Sequence, residues 1–213
     1  ETETRSERLQ ERQEVREQKL RPLSDILMQQ TLIIAILAAA VGYSLMSFIM
    51  TATPLQIVNI CKLGNSASST VIQWHIIAMF APSFFTGSII SRFGNRKVML
   101  AGIILYAFSV FFGILGETVQ NFWIALFLCG LGWNFLYVGG SDIIAKSALP
   151  EERAKVQGVT DFIIFVFVAM GSFLAGYLHS NLGWEIMLFY TTIPIILIFI
   201  GIIIIKPQNL KLN

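Results

Sequence analysis

Charge is scarce in this chain. Charged residues fill 13% of its 213 positions, about half the share of an average soluble domain. The few charges are also segregated: six of the thirteen acids and six of the fifteen bases precede Pro22. The net charge of +2 is too small to point to nucleic acid as a partner. Two cysteines and two histidines have no metal-ligand spacing, so no metal site is expected. Cys129 sits inside an apolar run and reads as a small packing residue. No Walker-type loop is present, which argues against an ATP-driven activity, and no cofactor is expected. The string Gly139-Gly140-Ser141-Asp142 resembles a serine nucleophile site. It has no histidine base at its depth, so the chain does not read as an enzyme.

What is present is apolar. Hydrophobic residues make up 55% of the chain, with 17 phenylalanines. A bilayer core of about 30 Å needs about 20 helical residues. Six stretches qualify: roughly 31–53 (ending at Pro54), 69–91, 98–116, 122–145, 159–178 and 185–205. The runs are continuous rather than alternating, which excludes a barrel and leaves an all-α membrane protein. Three regions follow: a charged linker with an interfacial segment over 1–30, a six-helix bundle over 31–206, and a tail over 207–213. The lipid bilayer is the first partner.

Counting bases orients the bundle. Placing the N-terminus on one side and alternating gives that side fourteen bases and the other only Lys62. By the positive-inside rule both termini are cytoplasmic. Pro82 and Pro194 should kink the second and sixth helices. Gly130, Gly132, Gly139 and Gly140 mark the fourth helix as a close-approach element. Gly171 with Ala175, and Ser172 with Gly176, give small-xxx-small spacing in the fifth.

The turn between the second and third helices reads Gly87-x-x-x-Ser91-Arg92-x-Gly94-Asn95-Arg96-Lys97. It resembles the signature loop of the major facilitator superfamily, G-x-x-x-D-R-x-G-R-R/K, at the equivalent place in a half. Ser91 replaces the acid and Asn95 the first base of the closing pair. Such decay is typical of the second copy, so the chain resembles the C-terminal six-helix half. Leu149-Pro150-Glu151-Glu152-Arg153 through Gly158 resembles the matching P-x-E-R loop of bacterial members. The Glu/Arg-rich start resembles the central cytoplasmic linker. Because the chain opens on Glu1 rather than Met, a missing N-terminal six-helix half is expected, or else pairing with a second half-size chain.

The resemblance implies secondary active transport of a small organic molecule by alternating access, in a bacterial inner (plasma) membrane. Proton-coupled efflux by antiport is the first expectation, with uptake of a nutrient close behind it. A non-transporting assembly factor or receptor on the same fold is the alternative. In the family the first and fourth helices of a half line the central cavity, with the second and fifth flanking it. Tyr43, Ser47, Thr51, Trp133, Asn134 and Tyr137 are therefore substrate-cavity candidates, with Gln73 beside them. Aromatic and amide groups in an apolar pocket suit a small organic substrate.

Ionisable groups inside lipid each need a reason. His75 is the candidate for proton coupling, because imidazole titrates near neutral pH; the alternative is a histidine bonded within the bundle. Asp142 is expected to pair with Arg92 or Arg96 as a cytoplasmic latch, or to carry a proton. Asp161 is a further latch candidate, alternatively a carboxylate favoured by the dipole at a helix start.

Overall fold

The computed structural model describes residues 21–204; the expectations for the charged linker and the tail fall mostly outside them. Nine α-helices follow in order among the described residues: α1 (Leu23–Leu27), α2 (Gln30–Pro54), α3 (Asn65–Phe80), α4 (Ser83–Phe93), α5 (Asn95–Ile114), α6 (Val119–Ser147), α7 (Arg153–Leu182), α8 (Trp184–Tyr190) and α9 (Thr192–Ile204). Five spans are long and apolar enough to cross a membrane: α2 with its extension, α5, α6, α7 and the α8–α9 pair. The α3–α4 pair makes the sixth, bent by 43°. Among the described residues the fold is an all-α bundle of six spans.

The kink expected at Pro82 is present, and near Pro194 the helix is interrupted by one residue. α3 gives way to α4 at Ala81–Pro82, and α8 gives way to α9 at Thr191, three residues before Pro194. A proline ring has no N–H and crowds the carbonyl four residues back, so the break falls just ahead of it. Pro54 behaves differently. It was expected to end the first span, yet the helix runs through it and continues as π-helical turns over Leu55–Ile60. Its φ of −59° stays helical, and the wider π turns carry the chain onward.

α6 is the axis of the bundle, packed against α2, α3 and α5. Its glycines face different neighbours. A Cβ on Gly130 would sit 2.7 Å from the His75 carbonyl on α3. One on Gly140 would sit 2.7 Å from the Ala35 carbonyl on α2. Gly132 abuts Tyr106 and Gly102 on α5, and Gly139 abuts Met99 there. In α7, Gly171 meets Ser44 of α2 and Ala175 is fully buried, whereas Gly176 borders open space. Only the first of the two small-xxx-small pairs is thus used by both members for close approach. The α4–α5 turn is the single residue Gly94, at φ 84° and ψ 150°, a conformation that needs glycine.

Ahead of α2, Arg21 straps the chain to the α6–α7 connection. Its Nη2 donates to Glu152 Oε2 (2.7 Å) and to the Ser147 carbonyl (3.0 Å), and its backbone N donates to Glu152 Oε1 (3.0 Å). The Leu149 N–H donates to Glu152 Oε2 at 2.9 Å. These donors, the Arg21 side chain foremost, hold the Glu152 carboxyl down at about 2, against an ordinary 4.5. A depressed carboxyl stabilises the fold fully above pH 4.5, and that contribution fades as pH falls towards 2. Arg21 is 37% exposed, so the contribution is about 1–2 kcal/mol after allowance for screening. Glu152→Gln is expected to lower the melting temperature at pH 7 and to flatten its decline between pH 5 and pH 2.5. Parallel melting curves for variant and wild type would exclude the strap as a stabilising contact.

Candidate functional site

The structure gathers three of the predicted cavity residues into one aromatic cluster. Trp133 and Tyr137, one turn apart on α6, stack in parallel with centroids 5.1 Å apart and planes at 9°. Tyr43 of α2 meets both edge-on, at 5.4 Å and 5.3 Å. Phe165 of α7 joins Tyr43 at 5.8 Å, and Phe80 at the end of α3 meets Trp133 at 5.7 Å. The cluster therefore draws on the first, second, fourth and fifth spans. Phe80 and Phe165 were not anticipated, because in sequence they are two of many phenylalanines. Both are more than half exposed, so the cluster opens on one side of the half. Gln73 is exposed, seven residues before Phe80 and on the same helical face. Thr51 is exposed two turns beyond Tyr43.

Two predicted cavity residues have structural duties instead. Ser47 Oγ shares a 2.6 Å hydrogen bond with Ser172 Oγ and closes the α2–α7 seam. Asn134 is fully buried. Its Nδ2 donates to the Met79 carbonyl (2.7 Å) and to Ser83 Oγ (2.6 Å), and its Oδ1 accepts from Thr86 Oγ1 (2.6 Å). These partners flank the Pro82 break, where carbonyls of the last helical turn lose their intrahelical donors. Asn134 is the staple of the broken span.

The ionisable groups are also redistributed. His75 is fully buried, and its Nδ1 lies 2.7 Å from the Leu126 carbonyl. A carbonyl only accepts, so Nδ1 carries a proton, and Nε2 has no partner among the described residues. The imidazole thus joins α3 to α6 inside the bundle, away from the aromatic cluster. Asp142 pairs with neither Arg92 nor Arg96. Its Oδ2 accepts from Asn95 Nδ2 at 2.8 Å and from Lys146 one turn on. Asn95 also donates to the Gly139 carbonyl at 2.9 Å. Arg96 instead donates to the Ile203 carbonyl in the last turn of α9 at 2.7 Å, and Arg92 lies 5.3 Å over the Phe93 ring. The amide that departs from the signature loop is therefore what holds α5 to Asp142. A short amide at the α5 start reaches across, while the longer guanidinium of Arg96 is taken up by free carbonyls at a helix end.

Asp161 was expected near a helix start. α7 begins at Arg153, so Asp161 lies eight residues in, beyond the first turn in which a helix dipole acts. It stands one turn before Phe165, on the face where Ile164 packs with Ala39 and Ala40 beside Tyr43 and Tyr137. It is an electrostatic neighbour of Tyr137. At the far end of the bundle, buried Gln56 joins two boundary residues: Nε2 donates to Glu117 Oε1 (2.8 Å), and Oε1 accepts from His179 Nε2 (2.9 Å). Among the described residues no group of His, Cys, Asp and Glu is placed to hold a metal ion.

A bundle of five apolar spans and a sixth, broken one defines a class: an integral membrane protein. The family model of the Major Facilitator Superfamily matches residues 32–211, and the chain belongs to that superfamily. It is 41% identical over 192 residues to the riboflavin transporter RfnT of Brucella anthropi, covering 89% of this chain and 48% of that protein. It is 33% identical to an uncharacterized MFS-type transporter, YddS, of Bacillus subtilis, over 67% of this chain and 33% of the relative. The multidrug resistance protein MdtL of Escherichia coli is 25% identical over 73% of this chain and 41% of its own length. The chain spans about half the length, or less, of these relatives.

Proposed function

We propose that this chain is one half of a secondary transporter that carries a small planar organic molecule across a bacterial inner membrane by alternating access. The basic face is cytoplasmic, and a complementary six-helix half, in the rest of the protein or in a second copy, closes the cavity. The convergence of Tyr43, Trp133, Tyr137, Phe80 and Phe165 carries this reading. Offset and edge-on aromatic faces bind a flat conjugated ring well, with about 0.5–1.5 kcal/mol per ring pair beyond area burial. The riboflavin named for the 41% identical relative fits such a face, which makes riboflavin the first substrate to test. Proton-driven efflux is the direction we propose.

The test is flux of riboflavin in vesicles carrying the full-length protein, with and without an imposed pH gradient. Wild type should move riboflavin faster than empty vesicles, and collapsing the gradient should slow it. Trp133→Ala removes a stacked ring and should cut the rate about tenfold, corresponding to about 1.4 kcal/mol. Flux equal to that of empty vesicles would remove riboflavin as the substrate. Unchanged flux in Trp133→Ala would remove the aromatic cluster as the binding face.

A further inference from the structure

Asp161 is the one acid of α7, and the aromatic cluster leaves it unexplained. α7 has 30 residues, or about 45 Å at 1.5 Å each, against a hydrocarbon core of about 30 Å. Centred on the bilayer, the helix leaves about 7 Å outside on each side. Asp161 is about 12 Å from the helix start, so it lies about 5 Å inside the hydrocarbon. A carboxylate at that depth is costly and needs a partner or a cavity. No ion pair reaches Asp161 among the described residues, whereas Asp142 and Glu152 each have one. Its face is that of Phe165 and Ile164, one turn from the cluster, with Tyr137 as an electrostatic neighbour. The site is thus two-part: aromatic rings, then a carboxylate nearer the basic face.

We propose that Asp161 selects substrates by accepting hydrogen bonds from a hydroxylated chain attached to the planar ring. The inference rests on the transport reading above and adds an orientation: ring on Tyr43, Trp133 and Tyr137, chain towards the basic face. An ionised carboxylate only accepts. It therefore cannot pair with ring carbonyls and must meet donors, of which a flavin ring offers one, its imide N–H. A polyol chain supplies several, and charge-assisted bonds of this kind are worth roughly twice neutral ones.

Riboflavin and lumiflavin test this, since they share a ring and differ in the polyol chain. Binding to the purified full-length protein in detergent is read by flavin fluorescence. Wild type should favour riboflavin. Asp161→Ala should weaken riboflavin about tenfold, the loss of one charge-assisted bond, and leave lumiflavin within about twofold. Asp161→Asn, which keeps one acceptor oxygen, should fall between. Trp133→Ala should weaken both probes alike. Equal wild-type affinity for the two flavins, or an Asp161→Ala loss shared by both, would overturn the role of Asp161 while leaving the aromatic site standing. Wild type that binds neither flavin would overturn both readings together.

Discussion

Gly140→Val is expected to cost the full-length protein on the order of 3 kcal/mol or more, as backbone-limited overpacking. The reason is the kind of atom that a side chain would meet. A Cβ at Gly140 lies 2.7 Å from the Ala35 carbonyl oxygen and 3.3 Å from the Ala39 nitrogen. Both are main-chain atoms of α2, so relief requires the helices to part along a seam at the centre of the bundle. Gly139 offers the contrast. Its neighbour at 2.7 Å is the Met99 Cγ, part of an unbranched side chain that can turn aside. Gly176 has nothing within 4 Å, and alanine there should be neutral or slightly stabilising. Melting temperatures in detergent should therefore rank Gly176→Ala at or above wild type, then Gly139→Ala, then Gly140→Ala, with Gly140→Val lowest. A Gly140→Val protein that melts with wild type would mean that α2 and α6 do not approach this closely.

The sequence carried the architecture better than the site. Six apolar runs, a proline-broken span and a glycine-rich central helix are all local properties, because a helix in lipid must satisfy its own backbone. Proline nevertheless acted in two ways. Pro82 broke its span, whereas Pro54 was absorbed by π turns, and residue type alone does not distinguish these outcomes. Side-chain partners were less legible because they depend on rotation and reach. Asp142 lay opposite a turn with three cations, yet Asn95 holds it, since geometry outweighs formal charge at a surface-exposed turn where ion pairs are weak. Asp161 was misplaced by a helix start set six residues too late (predicted 159, observed Arg153), which converted an acid two turns into the helix into a terminal one. Tyr43, Trp133 and Tyr137 were named because the family resemblance sets the first and fourth helices at the cavity; spacing added only that two of them lie one turn apart on one helix. Phe80 and Phe165 come from other spans, and no local spacing reveals them.

Asn134→Leu tests whether the bend of the second span is held from outside. The substitution keeps the branched shape and heavy-atom count, though with bulkier methyl groups, and removes three interhelical bonds, to the Met79 carbonyl, Ser83 Oγ and Thr86 Oγ1. Interhelical bonds in membranes are worth about 0.6 kcal/mol on average and at most about 1.7, so losing three costs about 2–5 kcal/mol. The upper half of that range applies here because Asn134 is fully buried and water cannot replace it. Ser109→Ala is the reference, since Ser109 makes one buried bond, to the Ala125 carbonyl at 2.7 Å; it should cost about 0.6 kcal/mol. Asn134→Asp separates donor from acceptor. It retains oxygens for Thr86 and Ser83 but sets a carboxylate against the Met79 carbonyl, two acceptors without a shared proton. It should therefore be no more stable than Asn134→Leu, despite its closer shape. Because Phe80 lies between Met79 and the break and meets Trp133, loosening the staple should also displace one wall of the aromatic cluster. Asn134→Leu should then bind flavin more weakly as well as melt earlier. An Asn134→Leu protein with wild-type melting and wild-type flavin binding would show that proline alone sets the bend, and that the amide contributes nothing to the position of Phe80.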